Sequence, residues 1–598
     1  MATYIKPGVY IEENVAAVRT LDNSTPSSAA VFIGVADHGP TKLDGSTVLA
    51  VPTLVTSWTD FNNKFGFAST VDPFKTTVNT DSYNLKYAVK SFFDNGGSQA
   101  YVMRLVNTDA AAATTTFGSS LKVDAADPGA WGNRLWAEVV VNSNSTFDLY
   151  VYYNDSVTAT SGAVTYAANT LETYSQLSMD TNSTRYAPSI VKSNYIKLTG
   201  LSTTNPSAAK QQLSGGTFGS TAPTLATHVF SQLDAIQGPL VVNWPRNKNY
   251  GTGIAVTNKA ATTSVSTLTV ASGHGVVVGD SIYVDAVDST FNGNYVVTAT
   301  SATTVAYAVT RASSVTSTTS TGVIGVYGKA YDTVANASFT YADTREDVFV
   351  VVDPPVLSLG SSTDTTATTV LGTINSLNSS KNLGAAYYPY ITVVDPTSRS
   401  GATVSIAPGG AVTAMYLNAD QQKGAFQSPA GVGARVNDAV SVPALTSANF
   451  TEISNNAVAL NVIRYVPGSG ICVMGARTMS TAFKDRYVAV RRSLQYINQS
   501  LVNQTAYAVF EPNDAVLWSR VRSTIDNFLY RYWKQGGLKG DTPSQAYYIK
   551  CDSDINTQSA IENGELRIEV GVALQTPAEF VIIRIGQLDG GSSVSVSI

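Results

Sequence analysis

The side chains that could support catalysis or bind a metal are few and widely spaced in this 598-residue sequence. The three histidines are His38, His228 and His274, and the two cysteines are Cys472 and Cys551. A serine hydrolase needs a histidine as general base, but none of the three lies in a strand–turn–helix setting, and the sequence has no Gly-x-Ser-x-Gly motif. Zinc-ligand spacing and a phosphate-binding Gly-x-x-x-x-Gly-Lys-Ser/Thr loop are also missing.

Two aspartates at the ends of predicted strands have the right chemistry for acid–base catalysis. Asp353 precedes Pro354, and Asp395 precedes Pro396. An Asp-Pro pair after a strand is more often a turn than a catalytic site. The sequence therefore predicts a protein that is not an enzyme and that uses no cofactor and no metal.

The composition indicates a large protein with a sizeable core. Its length corresponds to about three to five domains, with 44% hydrophobic and 14% charged residues. A net charge of −5 argues against a nucleic-acid coat, which needs a basic excess. Two cysteines argue against a disulfide framework and suit a reducing cytoplasm. The N-terminus does not resemble a signal peptide, and no apolar run is long enough for stable membrane insertion.

Strong helical periodicity occurs only in the last third of the chain, from about residue 461 to residue 587. A first helix is predicted over about 483–502, with Arg486, Arg491, Arg492 and Gln495 off its apolar stripe. The stripe consists of Phe483, Tyr487, Val490, Leu494, Ile497 and Leu501.

A second helix follows in the same region. Asn513 is its predicted N-cap, with Asp514 in the first turn, and Gly536 and Gly537 are expected to end it. Its predicted buried face consists of Val516, Leu517, Val521, Ile525, Phe528, Leu529 and Tyr532.

An ordered set of segments in this region resembles the C-terminal domain of contractile tail sheath proteins. These proteins coat the tail tube of contractile-tailed phages and related injection machines. The main segments are NVIR at 461–464, GART at 475–478, RYVAVRR at 486–492, FEPN at 510–513 and PAEF at 577–580, with shorter matches at 517–518, 540, 551–552 and 556–557. The segments at 7–13 and 92–105 are also similar to the family.

The predicted fold is a multidomain α+β and α/β chain. A sheath core is interrupted by two mostly β insertions and followed by a C-terminal α+β domain, with extended arms at both ends. The predicted units are an N-terminal arm (1–27), a first core segment (28–107), an outward-facing β domain (108–237), a return to the core (238–251), a small β-sandwich or barrel (252–328), a second core segment (329–445), the C-terminal sheath domain (446–588) and a C-terminal arm (589–598).

The resemblance implies a mechanical function. Subunits would polymerise as stacked hexameric rings around a tail tube and contract to drive the tube through the host envelope. The other implied partners are baseplate and tail terminator proteins, without direct contact to nucleic acid. The particle would be assembled in the host cytoplasm, and the subunit would reside in the virion tail.

The two arms are the candidate links between subunits. The sequence pattern of each arm predicts an extended strand. For the N-terminal arm, the pattern alone leaves open whether this strand pairs within its own domain or with another chain. The resemblance favours exchange between chains, with the arms adding to a sheet in a neighbour's C-terminal domain. The exchanging residues would be Val9, Tyr10 and Ile11, then Glu579, Phe580, Val581 and Ile582, and finally Val594, Val596 and Ile598.

Three alternatives stay open at this point. Arg486, Arg491 and Arg492 could face acidic groups on the tube, or could pair with carboxylates of their own domain. The sheath could belong to a phage-derived bacterial injection particle instead of a phage. Less favoured is a virion-surface protein that binds glycans through its β regions, since the sequence offers no Asp/Glu pair clustered among aromatic residues at 108–327.

Overall fold

The computed structural model describes most of the chain between residues 28 and 579. The residues that it leaves out are 1–27, 37, 45–46, 67–83, 154–169, 218, 220–222, 247–253, 275, 277, 279–280, 286, 327–328, 356–358, 361–368, 378–380, 382, 397–400 and 580–598. Among the described residues, no helix combines the length and the apolar character needed to cross a membrane.

An eight-stranded mixed sheet forms the centre of the core. Its strands, in spatial order, are Gly470–Val473, Leu460–Val466, Gly384–Tyr388, Val348–Val352, Leu240–Asn243, Ala29–Val35, Ala100–Leu105 and Thr53–Val55. The six inner strands run parallel, and the two outer strands are antiparallel to their neighbours. All five residues of Val348–Val352 are buried, as expected for a parallel sheet covered on both faces.

Helices cover both faces of this sheet. Asn84–Asp94 and Gly409–Gln422 pack on one face, and Lys329–Arg345 and Val370–Ser376 pack on the other. The first two helices touch through Gly410, where a Cβ atom would lie only 2.2 Å from the carbonyl oxygen of Ala88. Smaller core elements are the helices Trp58–Phe65, Ser231–Leu233 and Ser447–Asn455, the π-helical turn Ala226–Phe230, and the strands Thr41–Asp44, Thr47–Ala50, Ile391–Val394, Thr403–Ile406 and Ala439–Ser441.

The first β region has a hydrophobic core of its own. One sheet contains Thr114–Phe117, Leu121–Ala125 and Ile196–Gly200, and the other contains Leu135–Val141, Phe147–Tyr153, Thr170–Leu177 and Ala209–Gln212. Two short helices, Ala130–Arg134 and Ala187–Ile190, connect them. The chain then returns to the core sheet at Leu240–Asn243.

The second β region is a closed barrel. Six antiparallel strands form a ring, because the strand Ile254–Ala261 pairs with both Val323–Val326 and Val265–Val270. The other ring strands are Ser281–Asp285, Gly293–Thr300 and Thr304–Ala308, and Val315–Thr319 pairs with the later residues of Ile254–Ala261. Apolar side chains fill the interior.

The C-terminal region is built on two long helices, Val488–Thr505 and Ala515–Lys534. Below, they are called the first and second C-terminal helices. The shorter elements are the 3-10 turns Phe483–Asp485 and Ala506–Ala508, the helices Pro543–Ala546 and Gln558–Glu562, and the strands Tyr547–Lys550 and Glu569–Val572. The strands Leu460–Val466 and Gly470–Val473 belong to the core sheet, whereas the sequence pattern grouped them with the C-terminal domain.

Several predicted details of the two helices are wrong. The first helix begins at Val488, and Phe483 is 76% exposed in the preceding turn. Gln495, predicted to lie off the apolar stripe, is buried against the core. Its side-chain amide donates to the backbone oxygens of Glu346 and Val348 at 3.0 and 2.8 Å. The first C-terminal helix is therefore covered by the core as well as by its own domain. In the second helix, Val516 is 67% exposed, while the other six predicted face residues are buried.

Candidate subunit interface

A two-stranded sheet lies on the second C-terminal helix, and its outer edges are unpaired within the described part of the chain. Tyr547–Lys550 and Glu569–Val572 run antiparallel, with Ile549 opposite Val570. Among the described residues, no third strand pairs with either of them. Each strand therefore offers one edge whose backbone groups can bind a further strand.

A polar groove runs beside this sheet. It has a volume of about 580 Å³ and lies between the second C-terminal helix and the strand Tyr547–Lys550. Arg522, Asp526 and Tyr548 line it, together with Tyr547, whose hydroxyl donates to Asp526 at 2.8 Å.

The buried side chain of Asn556 ties the loop between the two strands to the backbone of Arg567, just before the second strand. Its amide nitrogen donates to the backbone oxygen of Arg567 at 2.8 Å, and its oxygen accepts from the Arg567 backbone N–H at 2.7 Å. Thr557 caps the short helix Gln558–Glu562. Both side chains of the segment 556–557 therefore bond to backbone groups of the connection between the two strands.

The FEPN segment positions the second C-terminal helix. The N-cap is Asp514, whose carboxylate accepts from the N–H groups of Val516 and Leu517 at 2.9 Å, so the prediction of Asn513 as N-cap is wrong. The oxygen of Asn513 instead accepts from the Trp518 indole at 2.8 Å, and its nitrogen donates to the Glu565 backbone oxygen at 3.0 Å.

The last described residue, Glu579, is held by the GART segment. The Nε of Arg477 donates to both carboxylate oxygens of Glu579, at 2.9 and 3.0 Å. Arg477 is itself fixed through its backbone by Asn461, which also bonds the core strand at Ala386. Glu579 is therefore held at a defined place beside the core sheet. The other nine predicted exchange residues lie outside the described residues: Val9, Tyr10, Ile11, Phe580, Val581, Ile582, Val594, Val596 and Ile598.

Arg492 is buried between the first C-terminal helix and the core. Its guanidinium group donates to the two carboxylate oxygens of Asp420 at 2.8 and 2.6 Å and to the Ser28 hydroxyl at 3.2 Å. It also lies 4.9 Å from the centre of the Tyr416 ring. A bidentate pair of this kind fixes the helix to the core in one orientation.

The other two arginines of the predicted tube contact differ from each other. Arg491 is 6% exposed and pairs with Asp485 at 3.4 Å. Arg486 is partly exposed and lies 4.9 Å from the centre of the Phe483 ring. For Arg491 and Arg492, the geometry favours pairing with carboxylates of the same chain. The tube contact itself stays a prediction.

The three histidines are far from one another along the chain and occupy structural positions. His38 is buried with its Nδ1 3.2 Å from Asp127, while His228 lies in a helical turn and His274 in an exposed turn of the barrel. Burial opposes the charged form of Asp127, but the hydrogen bond and charge of His38, together with the nearby Arg104 and Lys197, outweigh it and lower the pKa of Asp127. In the portion of the chain that the structure describes, no cluster of three or more His, Cys, Asp or Glu residues could hold a metal ion.

Asp353 has a structural position at the end of a central strand. Its carboxylate accepts from the Gly409 N–H at 2.9 Å, at the start of the helix Gly409–Gln422, and from the Asn243 amide at 3.1 Å. Burial raises its pKa to about 6. This arrangement joins two strands to a helix N-terminus.

Comparisons with known proteins agree with the geometry. Residues 483–587 match the family model of the phage tail sheath C-terminal domain. No curated protein matches the chain. Among solved structures, a sheath tail protein from Listeria innocua is 12% identical over 90% of this chain and 91% of its own, with a TM-score of 0.50. The helical sheath of the anti-feeding prophage in its contracted state is 18% identical over 98% of this chain and 100% of its own, with a TM-score of 0.49.

The family match covers the two C-terminal helices and the open-edged sheet, and the similarity to the Listeria innocua protein extends to the core. Residues 483–587 therefore belong to the family of phage tail sheath C-terminal domains, and the chain shares its overall fold with a sheath tail protein.

Proposed function

We propose that the chain polymerises as stacked hexameric rings around a tail tube and contracts to drive the tube through a host envelope. The observation that carries this proposal is the family domain with its two-stranded sheet, in which each strand has an edge that no other described strand pairs with. The role is structural and not enzymatic, in keeping with the family. The polymer resides in the tail of a particle that is assembled in the host cytoplasm.

Subunits are joined by exchange of their arms. Val9–Ile11 of one neighbour and Val594, Val596 and Ile598 of another add strands to the sheet of this domain, which is extended by the segment 579–582. Support comes from the strand edges that no other described strand pairs with, from the adjacent groove, and from Glu579, which Arg477 holds beside the core sheet. Main-chain hydrogen bonds of this kind provide affinity without demanding one side-chain sequence.

The energy for contraction is stored in the packing of subunits. No nucleotide is needed, because an extended polymer held by a kinetic barrier can relax to a state with larger interfaces. In proteins that switch between two packings, the two states differ by only a few kcal/mol, and over many subunits such a difference adds up. A baseplate protein would supply the trigger, and a terminator protein would close the far end.

The contact with the tube has to be weak enough to break. Of the three predicted arginines, Arg486 is the one whose side chain is partly exposed in the described chain, so it is the first candidate to face acidic groups on the tube. An exposed charge pair contributes less than about 1 kcal/mol. Arg491 and Arg492 could join this contact only if their present ion pairs opened.

The two β regions are proposed to decorate the outer surface of the sheath. Each has its own hydrophobic core and can fold without contributing strands to the core sheet. A sheath with these insertions would serve a phage. A phage-derived injection particle would use the same subunit mechanics, and the DNA content of purified particles separates the two.

The proposal is tested by electron microscopy of the purified full-length chain. We expect hollow cylinders with six subunits per ring and a lumen wide enough for a protein tube. Dispersed monomers at all concentrations would overturn the proposal and favour a virion-surface binding protein.

A further inference from the structure

A group of charged side chains is buried where the first β region meets the core. The carboxylate of Asp127, in the β region, lies 3.2 Å from the Nδ1 of His38, which follows a strand of the core sheet. Burial opposes the charge of Asp127, but His38 and the nearby cations Arg104 and Lys197 lower its pKa below the ordinary value. His38, Arg104 and Asp127 are 1%, 0% and 6% exposed. Below, these four residues are called the junction cluster.

Arg104 joins the two parts through backbone groups. Its Nε and Nη1 donate to the core oxygens of Ala36 and Gly39 at 2.7 and 3.3 Å. Its Nη2 donates to the Pro128 oxygen of the β region at 2.8 Å. A guanidinium group presents its donors in a rigid planar fork, so these bonds set the position of Pro128 relative to the core.

Aromatic side chains of the β region enclose the His38 ring. The ring centre lies 4.3 Å from that of Trp131 and 6.3 Å from that of Tyr195. The Trp131 indole also donates to the backbone oxygen of Asp127 at 3.2 Å. The imidazole of a core residue is therefore inserted between groups of the β region.

The apolar cores of the two parts are separate. Among the described residues, the buried cluster of the β region lies within 113–213, and the two clusters of the core sheet contain none of these residues. The two connecting segments pair with each other at Ala111 and Thr217. Units that share no large hydrophobic interface usually move relative to each other, so this connection by itself would leave the β region free to turn.

We propose that the junction cluster is an orientation lock, which holds the first β region in one fixed orientation on the core. A buried charge is costly once its partner is removed. A turn of the β region would separate Asp127 from His38 and Pro128 from Arg104, so the buried charges are satisfied only in the present arrangement. The lock belongs to the single chain and goes beyond the proposed polymer.

The test measures the orientation in the full-length chain. Spin labels on Ser189→Cys of the β region and Gln422→Cys of the core, both exposed positions, report the distance between the two parts by double electron–electron resonance. The native Cys472 and Cys551 are buried. Labelled chains are diluted with unlabelled parent, so the distance within one chain is measured whether or not the chain polymerises. We expect one narrow distance distribution for the parent.

Asp127→Asn removes the carboxylate and keeps the size of the side chain. We expect the distribution to widen about twofold or more, because the cations Arg104 and Lys197 lose their buried counter-charge. The matched control is Asp124→Asn in the same β region. Asp124 pairs with Lys122 of its own strand at 2.8 Å, so the control should keep the parent width.

A parent-like width in folded Asp127→Asn would overturn the lock, and so would a broad distribution in the parent itself. If Asp127→Asn does not fold, His38→Gln decides, because it alters the cluster from the core side. This variant should widen the distribution while its circular dichroism spectrum matches that of the parent, and an unchanged width would overturn the proposal. Loss of the folded spectrum in both variants would also overturn it, since the cluster would then be needed for folding and not for orientation. None of these results depends on cylinder formation, so the failure of the lock and the failure of the proposed function are distinguishable.

Discussion

The barrel and the C-terminal sheet are two small β structures in one chain, and they differ in whether their strand edges are paired. In the barrel, each of the six ring strands has neighbours on both sides. In the C-terminal domain, two strands pair only with each other among the described residues. A closed sheet has no edge to offer, whereas an open one invites another strand. This difference is the basis for proposing that subunits join through the C-terminal domain and not through the barrel.

The two regions also differ in how charge is used. Arg492 of the first C-terminal helix is 3% exposed and pairs with Asp420 of the core. The barrel pair Lys259–Asp288 is partly exposed and lies within one unit. The Arg492–Asp420 pair joins the C-terminal domain to the core, whereas the Lys259–Asp288 pair lies at the surface of the barrel.

The largest predicted effect follows from this contrast. Arg492→Met leaves Asp420 buried without its partner, which should lower the free energy of unfolding by about 3–5 kcal/mol. Lys259→Met removes a partly exposed pair and should cost less than about 1 kcal/mol. Urea denaturation of both variants and the parent measures the difference. Equal losses would contradict the assignment of Arg492 as the buried link between domain and core.

The next prediction contrasts the pH dependence of a core and a barrel aspartate. The pKa of Asp353 is raised to about 6 by burial, so between about pH 4 and pH 6 the folded chain binds more protons than the unfolded chain. Its contribution to stability is present at low pH and decreases by about 3 kcal/mol as the pH rises through that window.

For Asp288, burial would raise the pKa, but hydrogen bonds from Lys259 and Thr290 outweigh it and lower the pKa to about 2. Its contribution is present above pH 4 and is lost as the pH falls towards 2. Urea denaturation from pH 3 to pH 7 should therefore show opposite pH slopes when the parent is compared with Asp353→Asn and with Asp288→Asn. Slopes of the same sign in both comparisons would contradict a raised pKa for Asp353 and a lowered pKa for Asp288.

The smallest expected effect concerns the barrel as a whole. Replacing residues 254–326 with a short Gly-Ser linker should leave cylinder formation unchanged, because the ring strands make their strand pairs within the barrel. Electron microscopy and the melting temperature of the remaining chain check this. Loss of cylinders from a variant that still folds would show that the barrel participates in assembly.

Much of the fold could be predicted from local patterns. The apolar run Val348–Val352 has the character of a buried parallel strand, and it lies in the core sheet. The periodicity of residues 515–534 predicts a helix, and six of the seven expected face residues are buried. Such signals come from neighbours in sequence, where spacing determines which face a side chain occupies.

The details that escaped prediction depend on distant residues. Asp420 is 72 residues from Arg492, so no spacing rule connects them. Asn513 and Asp514 are both good N-caps, and Asp514 takes the role while the Asn513 side chain bonds Trp518 and Glu565. Likewise, Leu460–Val466 joins the core by pairing with Gly384–Tyr388, a long-range contact that its own residues do not reveal.

The most direct test of the account compares two chains by negative-stain microscopy, the full-length protein and a variant that lacks residues 590–598. Circular dichroism melting of both confirms that the fold is retained. If arm exchange onto the open C-terminal sheet joins the subunits, the full chain forms long hollow cylinders and the truncated chain stays dispersed. Cylinders of equal length and number from both chains would contradict the account.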